Sequence, residues 1–251
     1  MPSRRLPNST PTVIRTLTAA REAWKRFPQD RLISANLWDQ IDDAAPASLF
    51  NRFLKEASDV DKALAAQAPL SSARAQAVAR LAQNVSHFHQ VFDLAVQRGI
   101  FTAGSRSYYG RDVSSTNIPD LTNQDAVFTA ARAIVKGEAD RQTAEGAAFV
   151  PMALPSATQV AAALADAQDK RTAVEVAKHS TDNEQNELAA LYPQALRLAV
   201  SIVNHIEFNL DERADLDAPG RRRIARAWGV VYVNEDGTLN EDPEPPTEPT
   251  P

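Results

Sequence analysis

The chain has 251 residues, of which 43 % are hydrophobic but only 6 % aromatic, and it contains no cysteine. This excludes a disulfide framework, a thiolate nucleophile and any thiolate metal site. No apolar run reaches the roughly 18 residues of a membrane helix, so neither insertion nor export is expected and a cytoplasmic location is the reading.

The formal net charge is −5, but it is unevenly spread. The last eighteen residues hold Glu235, Asp236, Glu241, Asp242, Glu244 and Glu248 and no basic residue. The rest of the chain is close to neutral, with 27 basic residues against 26 acidic ones, which argues against a protein built to grip nucleic-acid phosphates.

The first helix is predicted from Thr10-Pro11, a hydroxyl N-cap before a proline at N1, to Phe27. Ile14, Leu17, Arg21 and Trp24 fall on its adjoining turns. A second helical stretch begins near Ser34 and carries Leu37, Ile41, Leu49, Phe53 and Leu54, with Pro46 as either a kink or a new N1. A third is predicted after Ser71 and ends at Gly99, a good C′ residue. In it Val78, Leu81, Val85, Phe88, Phe92 and Ala95 recur by alternating steps of three and four. A short helix around Ser105 precedes Gly110.

Another helix starts near Thr122 or Asn123 and includes Val127, Phe128, Ala131, Ile134 and Val135. Pro151 and Pro155 keep the following AAFVPMALP extended. Ser156 and Gln159 then form a capping box before the longest predicted helical run, which reaches about Leu210 with Pro193 as its only proline. Its broad stripe of Leu188, Leu191, Tyr192, Ala195, Leu198, Ala199, Ile202, Val203, Ile206 and Leu210 belongs inside a bundle. Pro219 opens a last short helix that Gly229 closes. The β-branched run at residues 230–233 is the one strand, and it needs a partner such as Phe149 and Val150 or another chain. Beyond it the acidic, proline-rich sequence lacks apolar periodicity and is expected to be disordered.

Three stretches, RRLPNST, NVSHFHQVFDLAVQRGIF with YYGRDV after it, and RRRIARAWGVVYV, together resemble a family of all-helical bacterial proteins found chiefly in Bacteroidetes. The shared pattern spans roughly residues 4 to 233. The resemblance implies an all-helical fold with a basic W-G-V-V-Y-V ending. It assigns no activity and no catalytic residue.

Candidate sites are few. His87 and His89 point about 200° apart on a helix, so they cannot close on one ion, and no metal site is predicted. His89 and His205 are expected beside packed faces, hydrogen-bonded to neighbouring helices. Ser86, His87 and Asp93 hold the residue types of nucleophilic catalysis, but no nucleophile elbow or phosphate-binding glycine loop accompanies them, so no catalytic residue and no cofactor are assigned.

The densest polar and aromatic group is Ser105, Arg106, Tyr108, Tyr109, Arg111 and Asp112. As a ligand site, Arg106, Tyr108, Tyr109 and Arg111 would hold an anion. As a structural corner, the tyrosines would plug the bundle end while Arg111 pairs with Asp112 or a helix C-terminus. Arg221, Arg222, Arg223 and Arg226 form a second basic group suited to an anion or an acidic partner. Asp211, Glu212, Asp215 and Asp217 just before it favour internal pairing.

The predicted fold is all-α, an elongated bundle of about five long helices with a short C-terminal helix and one short β-segment. Residues 1–7 form an arm, residues 8–233 the helical domain and residues 234–251 the tail. The expected role is a non-enzymatic interaction or scaffold protein that binds a protein partner or itself, with no nucleic acid and no membrane. The alternative is a small-anion binding protein or enzyme using the corner between Tyr108 and Asp112.

Overall fold

The computed structural model describes residues 2–241, so most of the acidic tail lies outside the described residues. The order is β1 (Ser3–Arg5), α1 (Thr10–Arg26), α2 (Ala35–Trp38), α3 (Leu49–Gln97), a 3₁₀ helix (Ala103–Tyr109), α4 (Gln124–Glu145), α5 (Ala157–Asp211), α6 (Ala218–Ala227) and β2 (Val231–Val233). The fold is all-α, as the helix signals predict. No helix among the described residues is long and apolar enough to cross a membrane.

One predicted helix start shifts by a residue and two others hold. Ser9 rather than Thr10 is the N-cap of α1, with Thr12 completing a capping box. Asn123 caps α4 through Ala126 N–H, and Ser156 and Gln159 exchange the expected reciprocal hydrogen bonds of 2.8 and 3.2 Å.

The helix expected after Ser71 is instead the second half of α3, which runs unbroken through Pro69. An internal proline removes one donor and opposes a carbonyl, but the surrounding run is alanine-rich and the whole of α3 contains no glycine. The chain therefore continues. Pro46 neither kinks nor starts a helix; it lies in the connection between α2 and α3.

The described chain forms two compact units, one of residues 2–62 with 182–241 and one of residues 63–181. The boundaries fall inside α3 and α5. In the first unit, Leu17, Ala20 and Trp24 of α1, Phe50 and Phe53 of α3, and Leu198, Ala199, Ile202, Val203 and Ile206 of α5 share one core with Trp228 and Val230. Trp24 stacks on Trp38 at 5.0 Å.

In the second unit, Leu81, Val85, Phe88 and Phe92 pack with Tyr109, Val127, Phe128, Ala131, Ile134 and Met152. Here α5 contributes Val160, Ala167, Val174 and Thr181 as buried residues, spaced by sevens. That is the narrow seam of coiled-coil-like packing, which explains why this half of α5 shows no broad apolar stripe in the sequence.

The strand finds its partner within its own unit. β2 pairs antiparallel with β1, Arg4 opposite Tyr232, and not with Phe149 and Val150. The expected N-terminal arm thus supplies the missing edge. Tail residues 234–240 also differ from coil: Asn234 N–H donates to Thr238, Gly237 turns the chain at φ +80°, and Leu239 bridges to Val233.

Candidate functional site

The polar corner belongs to the second unit and is set by two glycines. Gly99 ends α3 at φ +74°, and Gly110 ends the 3₁₀ helix at φ +70°, the left-handed region that glycine enters without a Cβ penalty. Between them the chain doubles back so that Arg106 and Arg111 both reach Asp93 on α3. Arg111 grips it with a fork, Nη2 to Oδ2 at 2.7 Å and Nη1 to Oδ1 at 3.1 Å, and Arg106 Nε donates to Oδ1 at 2.9 Å. The remaining donors go to backbone: Arg106 to Val113 O at 2.8 Å, Arg111 to Asn117 O at 3.2 Å. Burial pushes the Asp93 carboxyl up, but the hydrogen bonds from Arg111 and Arg106 outweigh it and hold the group below its ordinary value.

A second network lies beside it. Tyr109, 2 % exposed, sits edge-on to Phe88 and Phe92. Its hydroxyl donates to Glu138 Oε2 at 2.5 Å and accepts from Arg141 Nε at 2.8 Å. Burial and the carboxylate of Glu138 push that hydroxyl well above its ordinary pKa, so it stays a donor. The Arg141 guanidinium is fully buried, 4.6 Å from the ring centres of both Phe101 and Phe149. It donates to Glu138, Glu145 and the Val150 carbonyl, while Met152 N–H completes Glu138.

The corner rests on α4 through Gly137. A Cβ there would lie 2.3 Å from the Tyr108 carbonyl oxygen and 2.8 Å from Tyr109 Cδ1. In an open helix, alanine for glycine gains up to about 1 kcal/mol. Here the backbone contact reverses the sign, and Gly137→Ala is expected to destabilise the second unit by about 1–3 kcal/mol in urea unfolding.

The residues singled out in the sequence therefore meet, but they face inward. Arg106, Arg111 and Tyr109 are buried in the two networks. Arg111 pairs with Asp93, while Asp112 accepts from Ser114. Of Arg106, Tyr108, Tyr109 and Arg111, Tyr108 alone lines open space, in a cleft of about 430 Å³ with Ile100, Thr102, Ser105, Ser107 and Glu145.

The second basic group lies in the first unit. Arg221 approaches Asp211 at 3.4 Å, Arg226 donates to Asn240 at 2.7 Å, and Asp217 caps α6 through Gly220 N–H. Arg222 and Arg223 are engaged as well. Of the flanking acids, Asp215 instead pairs with Arg213.

His89 lies in the packed face as expected but makes no hydrogen bond to a neighbouring helix, and His205 is exposed instead of packed. Among the described residues, Glu56, Asp59 and Glu184 can bring three carboxylate oxygens within 4.8 Å of one another. Lys55 and Lys62 already neutralise Asp59, at 2.9 and 2.8 Å.

Sequence reading missed Glu138 and Arg141, whose i,i+3 spacing on α4 is indistinguishable from a surface ion pair. Asp93 was visible only as a possible catalytic partner of His87. On the other face of α3, His87 lines an open groove of about 580 Å³ with Asn84, Gln90, Val91, Leu154, Pro155 and Gln159. Val91 is 38 % and Leu154 67 % exposed. No family model, curated protein or solved structure matches the chain.

Proposed function

We infer that this chain is a non-enzymatic interaction protein whose second unit binds an extended segment of a partner protein in the groove between α3 and the connection before α5. The observation that carries this reading is the groove's chemistry. Val91, Leu154 and Pro155 offer apolar surface to side chains, while Asn84, Gln90 and Gln159 add side-chain amides, of which the Gln159 oxygen already serves the start of α5. A peptide backbone in extended form needs that combination: alternating side chains to bury and N–H and C=O groups to satisfy. No carboxylate, ammonium or guanidinium lines the groove, so it favours an uncharged segment.

Photo-crosslinking in the native cell tests the reading. A crosslinking residue placed at Val91 or Leu154 is expected to trap the same protein. One at Val176, exposed elsewhere on the same unit, is not expected to trap it. Equal capture from all three positions, or none from the first two, overturns the groove.

A small-ligand role is favoured by the cleft beside the 3₁₀ helix. That cleft is lined by Thr102, Ser107 and Tyr108 and suits a neutral polyol better than an anion, because Arg106 and Arg111 are committed to Asp93.

A further inference from the structure

The second unit buries a titratable side chain that neither polar network uses. His89 stands on α3 one turn before Asp93 and is 1 % exposed. Among the described residues, neither Nδ1 nor Nε2 has a hydrogen-bond partner, and the ring lies edge-on to Phe88. A neutral imidazole can sit there at the cost of unmade hydrogen bonds. An imidazolium cannot do so cheaply, because it loses water and gains no acceptor.

We propose that proton uptake at His89 is the trigger of an acid-operated latch that frees residues 103–117 from α3. The charges that act on the ring come from two elements. Arg111, from the connection after the 3₁₀ helix, opposes a second cation, and Asp93, on the same helix as His89, favours one. Asp93 has little left to offer, since both its oxygens already accept from Arg106 and Arg111. Releasing the segment that carries the two arginines removes the opposing charge and leaves Asp93, one turn along the helix, as a counter-ion for the imidazolium, without unfolding the long helices. Openings of this local kind have lower free energy than global unfolding.

Burial first, and Arg111 second, lower the His89 pKa from the ordinary 6.5 to about 4. The open form therefore takes up the proton first. The stability that neutral His89 allows is complete above about pH 6.5 and is lost as pH falls towards about 4. From pH 7.5 to pH 5 the closed-to-open ratio is expected to fall by roughly 30-fold.

Hydrogen exchange of the full chain reads this at the Gly110 and Arg111 amides, which donate to Ser107 and Arg106 carbonyls. After correction for intrinsic exchange, their protection is expected to drop by about 30-fold between pH 7.5 and 5, while that of core amides on α1 changes little. In His89→Gln, which stays neutral, the drop should be less than about threefold. The same pH dependence in the Gln variant overturns the latch. Should that variant fail to fold, the wild-type protein decides alone: a loss of Gly110 and Arg111 protection that tracks the titration of the His89 ring by NMR supports the proposal, whereas a folded-state ring midpoint near 6.5 or protection that does not change contradicts it.

Discussion

Replacing Glu138 with alanine is expected to cost the second unit about 3–5 kcal/mol, the range for removing one partner of a buried ion pair. Glu138 is the acceptor shared by Tyr109 Oη, Arg141 Nη2 and Met152 N–H. Without it, a fully buried guanidinium keeps only Glu145, the Val150 carbonyl and the Tyr109 oxygen. The tyrosine hydroxyl, which burial keeps protonated, loses its acceptor as well. Glu138→Gln is expected to cost less, about 1–2 kcal/mol, because one amide oxygen can still serve Met152 and Arg141. Urea unfolding of both variants, followed by the amide and methyl NMR signals of the second unit, measures the difference. Equal losses would mean that charge plays no part in the network.

Asp93→Ala is expected to be at least as damaging, about 3–5 kcal/mol, since one deletion strands two buried guanidiniums instead of one. The side chains of Arg106 and Arg111 are only 7 % and 3 % exposed and retain just their backbone acceptors. Replacing all three residues together, with leucine at 93 and methionine at 106 and 111, should cost far less than the single change, because no unpaired charge is left. The wild-type carboxyl sits below its ordinary value. The stability it contributes is therefore present above about pH 4 and is lost as pH falls through the folded value. Thermal unfolding across pH 2–7 checks both points. If Asp93→Ala melts like wild type at pH 7, the two arginines are not held as described.

Most of the helices were legible because periodicity and caps are local properties. Val78, Leu81, Val85, Phe88 and Phe92 announce α3 by spacing alone, and all are buried. Ser156 and Gln159 mark the start of α5. The continuity of α3 was not legible, because Pro69 and Ser71 read locally as a stop and a cap, while a helix already under way passes through both. The pairing of Ser3–Arg5 with Val231–Val233 was hidden for a different reason. Three exposed polar residues carry no strand signal, and their partner lies more than 220 residues away.

The corner was half visible. Arg106, Tyr109 and Arg111 stand out by density, but their orientation depends on acids from α3 and α4 that are distant in sequence. An arginine that serves a ligand and one that serves a buried carboxylate have the same local sequence. Only the fold, through the turns at Gly99 and Gly110, distinguishes them. His89 likewise differs from His87 only in which face of α3 it occupies.

The most direct measurement is the affinity between the purified full chain and the protein crosslinked from Val91, compared with that of the double variant Val91→Asp, Leu154→Asp. Both side chains are partly solvated, so the variant should unfold within about 0.5 kcal/mol of wild type. Two carboxylates placed where the partner's apolar side chains would be buried should weaken binding by roughly 100-fold, because their desolvation on binding costs more than the neighbouring amides return. Unchanged affinity with unchanged stability would contradict the account, because the groove would then not be where this protein meets its partner.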